Sequence, residues 1–167
     1  FWVPPLLMDR RKLMDKKKNP FYQHADAEFF LAKRDGEIVG RIAGIVNYNH
    51  NKEHNETMGF FGFFECIDDQ AVANALFDVA KSFVKSKGAT AFRGPANPSV
   101  NDEYGLLFEG FNERPTVLMT YNPAYYVKLI EQYGFVKAKD LYAYTLSQET
   151  VYTERFERAN SLVKNRN

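Results

Sequence analysis

Glu65 and Cys66 stand side by side at the end of a run built almost wholly of Phe, Gly and Met. A carboxylate can serve as a general base, whereas a thiol acts as a nucleophile only when a neighbouring group draws off its proton. Cys66 could be a nucleophile only with a base partner, and it reads rather as an inert, half-buried thiol. A second group of polar residues lies in the loop 94–105 and just before it. Arg93 offers a fork for a carboxylate or phosphate, and Asn97, Ser99, Asn101 and Asp102 offer hydrogen bonds to a polar substrate. The alternative is a loop that satisfies itself through Asx turns and caps. A third group, His50 and His54 with Glu53 and Glu56, has the four-residue spacing of a zinc pair on a helix. The surrounding residues have turn composition and no apolar period, so no metal site is expected there. His24 stands alone. No P-loop, dinucleotide fingerprint or nucleophile elbow is present.

These residues need elements to position them. A short helix is expected over 9–17, ended by Asn19 and Pro20. Strands follow over 28–33 and 37–47, joined by Asp35-Gly36, a strong hairpin signal. Residues 47–56 read as a polar loop and 57–66 as a third strand. Val72, Leu76, Val79, Ala80 and Phe83 make one stripe of a helix over 69–87, opened by Asp68 or Asp69 and stopped by Gly88. Strands are expected at 90–93, 106–108 and 116–120. A helix over 121–135 carries both end signals: Asn122 as cap, Pro123 at the first position, and Gly134-Phe135 at the close. A strand over 139–146 and an amphipathic helix over 149–164 complete the chain.

This is a mixed α/β order with a mostly antiparallel sheet flanked by helices, and it resembles the GNAT superfamily of acyl-CoA N-acyltransferases. The resemblance covers residues 27–146 and rests on the element order. It rests also on the Asn122-to-Gly134 spacing and on the wording of Asp35-Gly36-Glu37-Ile38-Val39-Gly40 and Gly59-Phe60-Phe61-Gly62. It is closest to a bacterial group of GNAT-like proteins. It implies acetyl-CoA or another acyl-CoA as co-substrate, a small-molecule amine as acceptor, and a homodimer. It places Glu65 as the base in the cleft and Tyr126 as the acid, since Ile130 occupies the position of the usual tyrosine. Cys66, Ile67, Gln70, Ala71, Val72, Ala73 and Asn122 would hold the coenzyme. The family's glycine-rich phosphate loop is replaced here by Asp68-Asp69-Gln70-Ala71-Val72-Ala73. Each carboxylate at ~5 Å from a phosphate costs roughly 1–3 kcal/mol at intermediate dielectric. A GNAT-shaped binding or regulatory module without acyl transfer is therefore the alternative expectation.

The chain of 167 residues is long enough for one domain with a sizeable core, and its 16% aromatic content predicts a core rich in rings. A net charge of +1 gives no global case for nucleic acid. The basic run at Arg10, Arg11, Lys12, Lys16, Lys17 and Lys18 reads as a solvated helix face. A single cysteine precludes an intramolecular disulfide and fits a reducing, cytoplasmic setting. No apolar run is long enough for a membrane span, and no membrane partner is expected. The domain plan is an arm over 1–26, the GNAT-like domain over 27–146, and a helix or linker over 147–167. The opening Phe-Trp-Val-Pro-Pro reads as the interior of a longer polypeptide.

Overall fold

A computed structural model describes residues 3–147 and 154–164. The chain divides into two units, Phe1–Val136 and Lys137–Asn167. In the first, β1 (Ala25–Arg34), β2 (Glu37–Asn47) and β3 (Met58–Cys66) form an antiparallel meander, and β4 (Ala91–Arg93) adds in parallel to β3. Asp35 and Gly36 both take positive φ, the geometry that twists a two-residue hairpin correctly. A parallel neighbour requires a crossover, and α3 (Gln70–Ser86) supplies it.

Both faces of the sheet are covered. On one side α3 and α4 (Tyr125–Tyr133) enclose a ring-rich core in which Phe61 and Phe77 are fully buried. Phe77 stacks on Phe64 at 4.7 Å and meets Phe61 edge-on at 5.2 Å. Val72, Leu76 and Ala80 of the expected stripe are buried, whereas Val79 and Phe83 lie at its margin. On the other side Leu13, Met14, Phe21 and Tyr22 pack against Ala43, Ile45, Phe60 and Phe63. They come from α1 (Leu7–Met14) and a 3-10 turn (Pro20–Gln23), so much of the N-terminal arm belongs to this core.

Several elements differ from expectation. Residues 48–54 are helical, not a loop: α2 (Tyr48–His54) is closed by the Asn47 side chain accepting from His50 N and by left-handed Asn55. Capping at both ends compensates for the missing apolar stripe. The loop after β4 contains a small ladder, β5 (Ala96–Asn97) with β6 (Glu103–Tyr104). No strand forms over 106–108 or 116–120. Asn122 takes Leu107 N–H on its oxygen and gives its own N–H to Leu107 O, so the ladder groups of Leu107 are spent on a side chain. Asn122 consequently caps nothing, and α4 starts at Tyr125 without a side-chain cap. The C-terminal signal holds: Gly134 is left-handed at φ 106° and Phe135 seals the ring cluster. In the second unit residues 139–146 form no strand, and α5 spans Glu154–Lys164, so the start of the expected 149–164 helix lies outside the described residues.

Candidate functional site

The site begins with a bulge in β3. Gly62 faces Ala43 and Glu65 faces Arg41, so Phe63 and Phe64 together oppose the single residue Ile42. Phe63 adopts φ 51°, a left-handed conformation rare for an aromatic residue and costing on the order of 1–3 kcal/mol. Its backbone N–H donates to Asn97 Oδ1 at 2.6 Å, which pins the bulge to β5. Gly62 makes this possible. A Cβ there would fall 1.7 Å from the carbonyl oxygen of Ala96.

Beyond the bulge, β3 is tied to α4 by two adjacent tyrosines. Tyr126 donates to Glu65 Oε2 at 2.7 Å and accepts from Cys66 N at 3.0 Å. Tyr125 donates to Cys66 O at 2.7 Å. Arg41, across the ladder on β2, lies 3.6 Å from Glu65 Oε1. Glu65 is thus a half-exposed carboxylate held in place from two sides. Burial, and next the hydrogen bond to Glu65, raise the Tyr126 pKa well above the usual phenol value. A buried phenol that holds its proton this firmly is a poor acid for a leaving thiolate. Its geometry suits positioning Glu65. Burial, with Asp69 and Asp68 adding to it, pushes the Cys66 thiol up to about 11, which keeps it protonated and inert.

The residues expected to hold a pyrophosphate are engaged otherwise. Asp69 caps α3 by accepting from Ala71 N at 2.8 Å and Val72 N at 3.2 Å, and Ala73 N bonds Asp69 O. Arg34 lies 2.8 Å from Asp69 Oδ2 and, with those amides, holds its carboxyl below the ordinary range. Ile67 N donates to Val39 O. Gln70 spends its side-chain N–H groups on Leu129 O and Asn74, while its buried Oε1 has no donor among the described residues. An orphan acceptor offers a phosphate nothing to bind. As folded, this end of α3 does not fit the diphosphate of a coenzyme. Asn122, also expected there, instead clamps residue 107.

The loop 94–105 satisfies itself. Ser99 donates to Asp102 at 2.6 Å, Asn101 N donates to Ser99, and Glu103 pairs with Arg10 at 2.7 Å. Arg93 faces Glu56 at 3.7 Å, and Glu56 also meets His50 at 3.3 Å. The His50 and His54 rings lie 4.4 Å apart, as the four-residue spacing predicts once α2 is helical. Among the described residues no three His, Cys, Asp or Glu side chains group to hold a metal. A cavity of about 230 Å³ opens at the edge of β1, lined by Lys16, Tyr22, Asp26, Glu28 and Lys87. Its charges are already paired, Lys16 with Glu28 and Lys87 with Asp26, and no expected site residue lines it. Sequence reasoning missed Arg41, Arg34 and Tyr125. Arg41 and Tyr125 become visible only when register and helix phase bring them to Glu65 and Cys66.

The meander, the crossover helix, the parallel fourth strand and the helix ending in Gly134-Phe135 make a mixed α/β domain with a mostly antiparallel sheet flanked by helices. No family model matches the chain. It is 42% identical over 144 residues to bacterial ceramide synthase of Caulobacter vibrioides and 37% identical over 147 residues to protein YghO of Escherichia coli. These alignments cover 86% and 88% of the chain but only 38% and 37% of the relatives. The chain therefore spans less than two-fifths of the length of the curated relatives it matches. A crystal structure of a probable acetyltransferase aligns over 87% of this chain and 80% of its own, at 15% identity and a TM-score of 0.47.

Proposed function

We propose that this chain is a region of an N-acyltransferase that joins a fatty acyl group to a long-chain amine. The observation that carries the reading is the 42% identity to bacterial ceramide synthase over 86% of the chain. Ceramide formation is N-acylation of a long-chain amino alcohol, and such a reaction needs a base for the acceptor's ammonium. Glu65 supplies a carboxylate that solvent and substrate can reach, oriented by Tyr126 and Arg41. In this reading Glu65 takes one proton from the ammonium, the freed lone pair attacks the acyl carbonyl carbon, the carbon–sulfur bond to the carrier breaks, and a second proton passes from the nitrogen to the departing thiolate to leave the amide and a free thiol. The donor class is an acyl thioester, and with Asp69 closing α3 its recognition does not use coenzyme phosphates there. The expected amide product is measured by mass spectrometry after mixing a long-chain amino alcohol with a fatty acyl thioester. Glu65→Gln should cut the rate on the order of 100-fold and remove the acid limb of its pH profile. An unaltered profile would sink the assignment of the base.

A second reading is supported by Asp69. Its occupation of the Ala71 and Val72 amides favours a GNAT-shaped module that binds without transferring. Calorimetry together with the amide assay separates the two. Micromolar binding of acetyl- or long-chain acyl-CoA without amide formation supports the module reading, and amide formation contradicts it.

A further inference from the structure

We infer that the N-terminal arm and the outward face of α1 form a docking surface for an anionic phospholipid membrane. α1 is fixed to the domain from Arg10 onward. Arg10 pairs with Glu103, Leu13 and Met14 pack into the second core, and Leu13 O accepts from both Asn19 Nδ2 and Tyr22 OH. The described residues before Arg10 are exposed. Val3, Leu6, Leu7 and Met8 are 79%, 66%, 74% and 60% exposed, and α1 buries none of its residues completely. Scattered exposed apolar side chains are ordinary, but four within six residues make a patch that water disfavours.

Charge names the occupant. Of the six basic residues in this stretch, Arg10, Lys16 and Lys18 pair with Glu103, Glu28 and Asp15. Among the described residues Arg11, Lys12 and Lys17 have no ion pair. Met8, Arg11 and Lys12 are spaced three and four apart, so they share the helix face opposite Arg10, Leu13 and Met14. Leu7 lies one turn before Arg10, off the centre of the face of Arg11 and Lys12, so the apolar tip enters the lipid layer end-on with the unpaired cations at the level of its negative surface. A protein groove would answer the apolar tip but leave the cations without partners. That no helix among the described residues is long and apolar enough to cross a membrane bears on spanning, not on surface docking. The inference deepens the proposed function, because a long-chain amine and its acylated product both reside in lipid.

Co-sedimentation of the 167-residue chain with vesicles tests this without any turnover. Phosphatidylglycerol vesicles should bind it at least about tenfold more tightly than phosphatidylcholine vesicles, with the difference vanishing in 0.5 M salt as charges are screened (on the order of a 4 Å Debye length). Arg11→Glu/Lys12→Glu should remove the preference for the anionic lipid. Leu6→Ser/Leu7→Ser should weaken binding to both lipids, and Val117→Ser, an exposed apolar site elsewhere, should leave it unchanged. Equal binding to both lipids, or the same loss in Val117→Ser as in the arm variant, would overturn the docking surface. A chain that ignores vesicles but pairs with itself in light scattering, and becomes monomeric in Leu6→Ser/Leu7→Ser, would assign the patch to a second copy. A chain that binds vesicles but forms no amide retains this inference and loses the proposed function; amide formation without vesicle binding does the reverse.

Discussion

Replacing Tyr126 by Phe removes one oxygen that serves two partners. The ring is buried and stays nearly isosteric, so no cavity term enters. Glu65 loses a hydrogen bond of 2.7 Å to a charged acceptor, a class contributing about 1.5–3 kcal/mol. Because Glu65 is half exposed, solvent replaces part of that loss, and the lower end, about 1.5 kcal/mol, applies. The second partner is worse placed. Cys66 N–H is buried, and without the phenol oxygen it is left unsatisfied at about 1–2 kcal/mol. The sum is about 3 kcal/mol, a fall in Tm of roughly 6–12 °C at this chain length. Tyr125→Phe is the matched control, since it removes a single bond to a neutral carbonyl, about 1 kcal/mol. Urea denaturation of both variants, and of Tyr126→Phe combined with Glu65→Gln, measures the difference and the coupling. If Tyr126→Phe costs no more than Tyr125→Phe, or if the double variant is additive, Tyr126 does not position Glu65.

Two further outcomes follow from the same geometry. Burial, with a smaller contribution from Asp102, pushes Tyr22 up to about 12, and burial also leads the upward shifts of Tyr125, Tyr126 and Tyr133. Folded phenols then keep their protons while unfolded ones release them near pH 10. Their stabilising contribution is complete below pH 10 and is lost as pH rises from 10 towards 12. Denaturant midpoints across that window should fall, and less steeply in Tyr22→Phe; a flat profile would show these phenols to be freely hydrated. Gly62→Ala sets a methyl against the Ala96 carbonyl, and since backbone rather than a flexible side chain must yield, a loss of about 3 kcal/mol is expected. A loss under ~1 kcal/mol in equilibrium unfolding would mean that β3 and β5 are not held as closely as described.

The legible parts of the fold were those written in local chemistry. Asp35-Gly36 specifies its hairpin because two positive φ values are cheap for that pair alone. Asp69 announces α3 and Gly134 closes α4 through bonds within a turn of themselves. The errors fall where a polar side chain had more than one partner on offer. Asn122 has the composition of a cap, yet it bonds residue 107, fifteen positions away, and engages the ladder groups of the strand expected over 106–108. Asn97 and Ser99 have the composition of ligand-binding residues, yet one holds the Phe63 bulge and the other binds Asp102. Residues 48–54 lack a stripe and were still helical, because caps at both ends sufficed.

Glu65 itself was legible as a carboxylate ending an apolar strand, and its nearness to Tyr126 was not. Sixty-one positions separate them, and contact depends on how far β3 runs past its bulge and on the phase at which α4 crosses it. The residue types along the chain determine which groups can accept a proton, cap a helix or turn a hairpin, since those abilities are local. Packing decides which of them are already engaged. Asp69 shows the difference most plainly: as a residue it is a good cap, and only in the folded chain does that cap occupy the amides that a phosphate would need.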